Sequence, residues 1–100
     1  RFAHVRHILV PNKPEAKLCL EAIQEAKKPL KEFKKLAKKY STCSSGSKKG
    51  DLGEFVEGQM VQEFEDEVWS MQPESVPQRF IKTQFGFHII WVHSIKLPEE

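Results

Sequence analysis

Cysteine is scarce in this sequence: Cys19 and Cys43 are the only two in 100 residues. Two are too few for a disulfide scaffold, and they form no C-x-x-C pair, which argues against a zinc knuckle or a dithiol redox motif; one bridge between them stays open. Long apolar runs are missing as well. None approaches the ~20 residues of a membrane helix, so no membrane partner is expected. There is no internal repeat, and no low-complexity segment apart from a lysine-rich helix face. Net charge is small, +2 at pH 7, yet the halves differ: residues 1–49 carry 13 Lys/Arg against 4 Asp/Glu, and residues 50–100 carry 3 against 10. A basic half invites nucleic acid, and an acidic half argues against it. No signal peptide is visible in a chain that begins at Arg1, and an intracellular, cytoplasmic location is expected on that ground.

Hydrophobic residues at 39% and charged residues at 30% fit one small globular domain. It is expected to span residues 1–96, with 97–100 as a C-terminal tail. Phe2 to Val10 reads as a strand ending at a proline, with Val5, His7 and Leu9 on one face and His4, Arg6, Ile8 and Val10 on the other. Pro11, Asn12 and Pro14 mark a turn and a helix start. Leu18, Cys19, Ala22, Ile23 and Ala26 then form an apolar stripe at helical spacing. Pro29 opens a second helix, with Leu30, Phe33, Leu36, Ala37 and Tyr40 buried and Lys31 to Lys39 wet. Ser41 to Gly50 is a loop rich in serine. Asp51 to Val56 reads as a strand, Val61 to Met71 as a third helix, and Phe80 to Thr83 as a short strand. Gly86 separates that strand from Phe87 to Ile95, the strongest strand signal. The order implies an α+β fold with a small antiparallel sheet, the last two strands forming a hairpin.

A few residues could carry chemistry. His7 and His88 point inward from two strands, and if the strands are neighbours the two rings can satisfy each other. Cys19 sits on an apolar stripe and reads as a small core residue. Cys43 lies in a Ser/Gly loop, where packing does not explain it, and a thiol beside an imidazole has a tunable pKa. Met60, Phe64 and Phe85 form an apolar set, of which Met60 and Phe64, at helix spacing, are core by default. The residues leave three chemistries open: a Cys–His hydrolase, a metal site using His7, His88, Cys43 and Asp51 for which no ligand spacing speaks, and rotation about a prolyl amide. Interleaved aromatics are missing from the lysine-rich helix, so a nucleic-acid partner is not expected.

The sequence resembles the parvulin family of peptidyl-prolyl cis/trans isomerases over about nine tenths of its length. The resemblance is carried by His7-Ile8-Leu9-Val10; Phe33-Lys34-Lys35-Leu36-Ala37 with Tyr40-Ser41; Cys43-Ser44-Ser45-Gly46; Gly50-Asp51-Leu52-Gly53 with Phe55; Gly58-Gln59-Met60-Val61 with Phe64-Glu65; and Thr83-Gln84-Phe85-Gly86-Phe87-His88-Ile89-Ile90. It implies the parvulin (FKBP-like) fold, a four-stranded antiparallel sheet surrounded by helices. It also places the family's two histidines at His7 and His88, its active-site cysteine at Cys43, the threonine beside the histidines at Thr83, and the proline cup at Leu52, Met60, Phe64 and Phe85. No cofactor and no metal is implied. The expected partners are proline-containing peptides or proteins, handled by a monomer; the alternative is a proline-peptide-binding or chaperone module without catalysis. Phospho-selective members resemble one another in an arginine cluster after the first strand. Here that loop is Pro11, Asn12, Lys13 and Pro14, and one lysine makes no forked phosphate clamp. The sequence departs from the family at Lys49, where many members have glycine, and at Arg79 and Phe80, where Gly and Pro are frequent.

Overall fold

The computed structural model describes residues 1–97. Residues 98–100 of the expected tail lie outside the described residues. Four strands, β1 (Phe2–Val10), β2 (Asp51–Val56), β3 (Ile81–Thr83) and β4 (Gly86–Lys96), form one antiparallel sheet in the order β2-β1-β4-β3. The hairpin expected from Gly86 joins β3 to β4. Gly86 has φ +136, and a Cβ there would sit 2.7 Å from the Val10 carbonyl oxygen, so only glycine lets the turn close against β1.

Three helices cover the sheet: α1 (Lys13–Glu25), α2 (Pro29–Tyr40) and α3 (Gln62–Ser70). Asn12 caps α1, its side chain accepting from the Glu15 N–H at 3.0 Å. The buried stripe of α1 is Ala16, Cys19, Leu20 and Ile23, whereas Leu18 is 57% exposed. The expected stripe was displaced because α1 also meets α2, which draws Leu20 inward in place of Leu18. On α2, Phe33, Leu36 and Ala37 are buried as expected. The third helix is shorter than its pattern, since Val61 and Met71 are its extended caps. Where the sequence departs at Arg79, the guanidinium ties the connection back to α3, donating to Glu67 at 2.8 Å.

Both faces of the sheet are buried. On one, Ile8, Val10, Ile89 and Trp91 pack against α1 and α2; on the other, Ala3, Val5, Phe55, Ile90 and Val92 pack with Phe64 and Val68 of α3. Two irregularities in register matter for the site. Val5 and Arg6 pair with Gly53 and Asp51, so Leu52 is an extra residue of β2. His4 and Val5 pair with Ser94 and Val92, so His93 is an extra residue of β4. Such bulges bend a strand and re-aim side chains. Cys19 and Cys43 are both free thiols, which closes the question of a bridge.

Candidate active site

The α3 face of the sheet opens into a cavity of about 420 Å³ lined by His7, Leu9, Cys43, Leu52, Gln59, Met60, Val61, Phe64, Phe85 and His88. Seven of the eight residues singled out in the sequence line it; Thr83 stands behind His88. β1 and β4 are adjacent, so His7 and His88 meet: their Nδ1 atoms are 3.1 Å apart and their ring centres 5.2 Å apart. The Phe64 ring stands nearly perpendicular to both, at 5.7 Å and 5.5 Å between centres. Phe85 is 61% exposed and forms the rim of the cavity rather than its floor.

The proton positions follow from the partners. The Thr83 hydroxyl accepts from the Phe85 N–H at 3.1 Å and lies 2.7 Å from His88 Nε2. Its own proton is satisfied by donating to that nitrogen, because Thr83 is buried. His88 then carries its proton on Nδ1 and donates to His7 Nδ1. His7 is left with its proton on Nε2, a buried N–H without a partner at the cavity. Both rings are neutral: burial lowers the pKa of His7 to about 4, helped by the neighbouring His88, and burial lowers that of His88 to about 4.

Cys43 stands at the start of a short 3-10 turn, Ser44–Lys48. Burial of the thiol raises its pKa, but the hydroxyl and N–H groups of Ser45 and Ser44 outweigh burial and bring it below the ordinary thiol value. The expected thiol–imidazole pair is not made as a hydrogen bond: His7 Nε2 is unpartnered, and the two groups meet only as walls of one cavity. The loop is pinned to β1 on both sides of His7. Thr42 N–H donates to the Leu9 carbonyl at 2.7 Å and Leu9 N–H to the Ser41 hydroxyl at 3.1 Å. At the other end His7 N–H donates to the Gly50 carbonyl at 2.9 Å. Gly50 has φ +83, and a Cβ there would lie 2.5 Å from the His7 carbonyl oxygen. Lys49 beside it has φ 60, the left-handed conformation that explains why a glycine is frequent at this position.

Sequence reasoning missed Glu65. Its buried carboxylate accepts from the Gly58 N–H at 3.0 Å, the Met60 N–H at 2.8 Å and the Trp69 indole at 3.3 Å. It thereby fixes the turn that carries Met60 into the cavity. Burial raises its pKa, and those N–H groups outweigh burial and hold it below the usual carboxylate value. In the sequence this glutamate is one of four acidic residues on α3, which gave no reason to separate it from a solvated face. Leu9, Gln59 and Val61 are further lining residues that the sequence did not single out.

A family model for the rotamase, PPIC-type PPIase, domain matches residues 7–94. The chain belongs to the parvulin-type rotamases. It is similar to foldase protein PrsA 1 of Bacillus cereus, with 42% identity over 90% of this chain and 30% of that protein. It is also similar to the solution structure of NmPin, the parvulin of Nitrosopumilus maritimus: TM-score 0.76, 37% identity, 93% of this chain and 96% of that one. A third likeness, TM-score 0.86 and 29% identity over 93% of this chain and 38% of that one, is to a structure from work that describes PEB4 and the periplasmic protein Cj1289 of Campylobacter jejuni as SurA-like chaperones. This rotamase domain is thus a peptidyl-prolyl cis–trans isomerase of α+β parvulin fold. The chain spans about a third of the length of the curated relatives it matches. The expected intracellular location is overturned by the last of these likenesses, to a structure from work that names a periplasmic protein, Cj1289.

Proposed function

We propose that the chain isomerises Xaa-Pro bonds with an uncharged or acidic, unphosphorylated residue before proline, within a larger extracytoplasmic foldase acting on protein clients. The reading is supported most by one observation: a mostly apolar cavity whose buried polar edge is a chain of neutral hydrogen-bonding groups ending at the unpartnered His7 Nε2–H. The amide barrier of about 18–20 kcal/mol comes from conjugation, which the twisted transition state loses. With conjugation gone the carbonyl oxygen carries less charge. Leu52, Met60, Phe64 and Phe85 hold the proline ring in a dry cup that favours this less polar state, while the preceding carbonyl swings.

Cys43 supplies a polar, partly anionic wall beside the carbonyl carbon, and no covalent adduct is needed. His7 and His88 fix one tautomer and the backbone around it, and they do not shuttle protons. Thr83 sets the direction of that chain. The link from β1 to α1 consists of Pro11 and Asn12 alone, which leaves no arginine-bearing loop for a phosphate clamp. Lys48 lines a polar groove that adjoins the cup at Leu52, and its charge favours an acidic neighbour of the substrate proline. The SurA-like likeness speaks for the chaperone reading, which differs in turnover.

Cis/trans exchange on short peptides differing only before proline tests the reading. Catalysis is expected for apolar and glutamate peptides, with phosphoserine no better than glutamate; a strong phosphoserine preference overturns the specificity, and binding without exchange leaves only the chaperone module. Cys43→Ala is expected to lower kcat/KM about tenfold, equivalent to about 1.4 kcal/mol, at an unchanged melting temperature. Full activity in that variant removes the polar wall.

A further inference from the structure

Arg6 lies between Val5 and His7 on β1, so its side chain leaves the sheet on the face away from the cavity. There all three guanidinium nitrogens are engaged. Nε donates to His93 Nε2 at 2.9 Å, Nη1 donates to the carbonyl oxygens of Lys48 at 3.3 Å and Lys49 at 3.1 Å, and Nη2 lies 3.7 Å from Asp51 Oδ2. The two carbonyls belong to the end of the 3-10 turn that starts at Cys43, where the last carbonyls of a helical turn lack internal partners. Lys49 is held there with φ 60, and a left-handed lysine persists only where its surroundings enforce it.

The guanidinium is itself held. His93 is the extra residue of the β4 bulge, and its Nδ1 faces Glu74 Oε1 at 2.7 Å. Glu74 sits at φ 59, with its N–H donating to the Val92 carbonyl at 2.7 Å. With its Nδ1 proton given to Glu74, His93 presents Nε2 as an acceptor to Arg6. The His4 ring lies tilted against His93, 4.7 Å between ring centres, and meets Asp51 at 2.9 Å.

We propose that Arg6 is a positioning residue for the isomerase: it clamps the end of the Cys43 loop from the opposite face of the sheet, and His93, oriented by Glu74, keeps the clamp in register. The loop then has two anchors on β1, Ser41 and Thr42 at Leu9, and the Arg6 clamp with the His7–Gly50 bond. The turn between them carries Ser44 and Ser45, the residues whose hydroxyl and N–H groups lower the Cys43 pKa. A lysine at position 6 offers one nitrogen where the clamp uses three, so it keeps charge and loses the fork.

The proposal rests on the isomerase reading, so the test measures the loop directly as well as turnover. Cys43 carboxamidomethylation is followed against pH by mass spectrometry of the Cys43 peptide; the buried Cys19 reports any unfolding. The titratable groups that share the cavity with Cys43 are His7 and His88, both lowered to about 4 and so neutral above pH 6, and Lys48 and Asp51 line the adjoining groove with Ser44 and Ser45. In Arg6→Lys the Cys43 profile is expected to move toward the ordinary thiol value, and kcat/KM to fall about fivefold, near 1 kcal/mol, with peptide Kd changed less than twofold. Arg6→Met is expected to do the same. His93→Gln, which retains an acceptor for Arg6 Nε, is expected to recover at least half of the wild-type rate, and His93→Phe is not. A folded Arg6→Lys protein with a wild-type Cys43 profile overturns the clamp, whatever its activity. Should Arg6→Met not fold, Arg6→Lys and the His93 pair decide by the same profile. A wild-type protein without exchange activity overturns the isomerase reading alone, since the Cys43 profiles still judge the clamp.

Discussion

The face of the sheet under α1 and α2 is closed by Ile8, Val10, Ile89 and Trp91 against Phe33, Leu36 and Ile23. The face under α3 buries His7, His88, Thr83 and Glu65 among its apolar residues. The first face needs only volume and shape, which many apolar sequences supply. On the second, each polar group needs a partner of correct direction; among the described residues His7 Nε2, at the cavity, and Ser45 Oγ, in the Cys43 loop, have none. An unsatisfied buried donor costs about 1–3 kcal/mol, which the apolar face helps to offset. The hydrogen bonds that shape the cavity thus lie on the α3 side, while on the other side apolar packing sits beside the Arg6–His93–Glu74 network.

The sharpest way to break that division is to damage the apolar face. Phe33 is fully buried and meets the Trp91 ring edge at 5.9 Å between centres. Phe33→Ala is expected to cost about 3–5 kcal/mol, read by urea unfolding, a large share of the roughly 5–15 kcal/mol available to a domain of this kind. At low temperature, where it remains folded, its kcat/KM should stay within about twofold of wild type. Equal loss of turnover and stability in the folded protein would show that the two faces are not separable.

Glu65→Gln probes the other side with a smaller expected effect. The amide turns one acceptor oxygen into a donor that faces the N–H groups of Gly58 and Met60, so a loss of about 1–3 kcal/mol is expected. Unlike Phe33→Ala, it should also weaken peptide binding, because the turn that places Met60 loosens; the peptide Kd by NMR titration is the measurement. Because the folded-state pKa of Glu65 is depressed, its stabilisation is present above the unfolded carboxylate value and is lost as pH falls through the folded one. A Glu65→Gln protein with wild-type stability and Kd would show that the carboxylate holds nothing in place.

These differences also explain what was legible in the sequence. β1, β2 and the inward direction of His7 and His88 follow from a period of two, which is local. The choice of Leu20 over Leu18 depends on where α2 lies, and no helical period contains that. Leu52 and His93 are displaced by bulges, which depend on register between strands far apart in sequence. Glu65 and Arg6 looked like surface charges because their partners are backbone groups of other segments, and backbone groups have no sequence signature. That His7, His88 and Thr83 come together beside an apolar cavity was readable through resemblance; the contacts of Glu65 and Arg6 around them were not.

The smallest expected effect is that of mild acid on turnover. His7 and His88 are neutral in the folded protein, with values lowered to about 4 from the ordinary 6.5. Between those values the unfolded chain takes up protons that the folded chain refuses. Their contribution to stability is therefore complete above 6.5, declines as pH falls, and levels off near 4. Turnover of the folded protein should show no step at 6.5 from this pair, because neither ring changes state there. Nitrogen-detected NMR of the imidazoles at pH 5.5 is expected to find both rings neutral, His7 protonated at Nε2 and His88 at Nδ1. Either ring titrating near 6.5 would mean that water reaches the pair, and the α3 face would then be no more selective about its polar groups than an exposed surface.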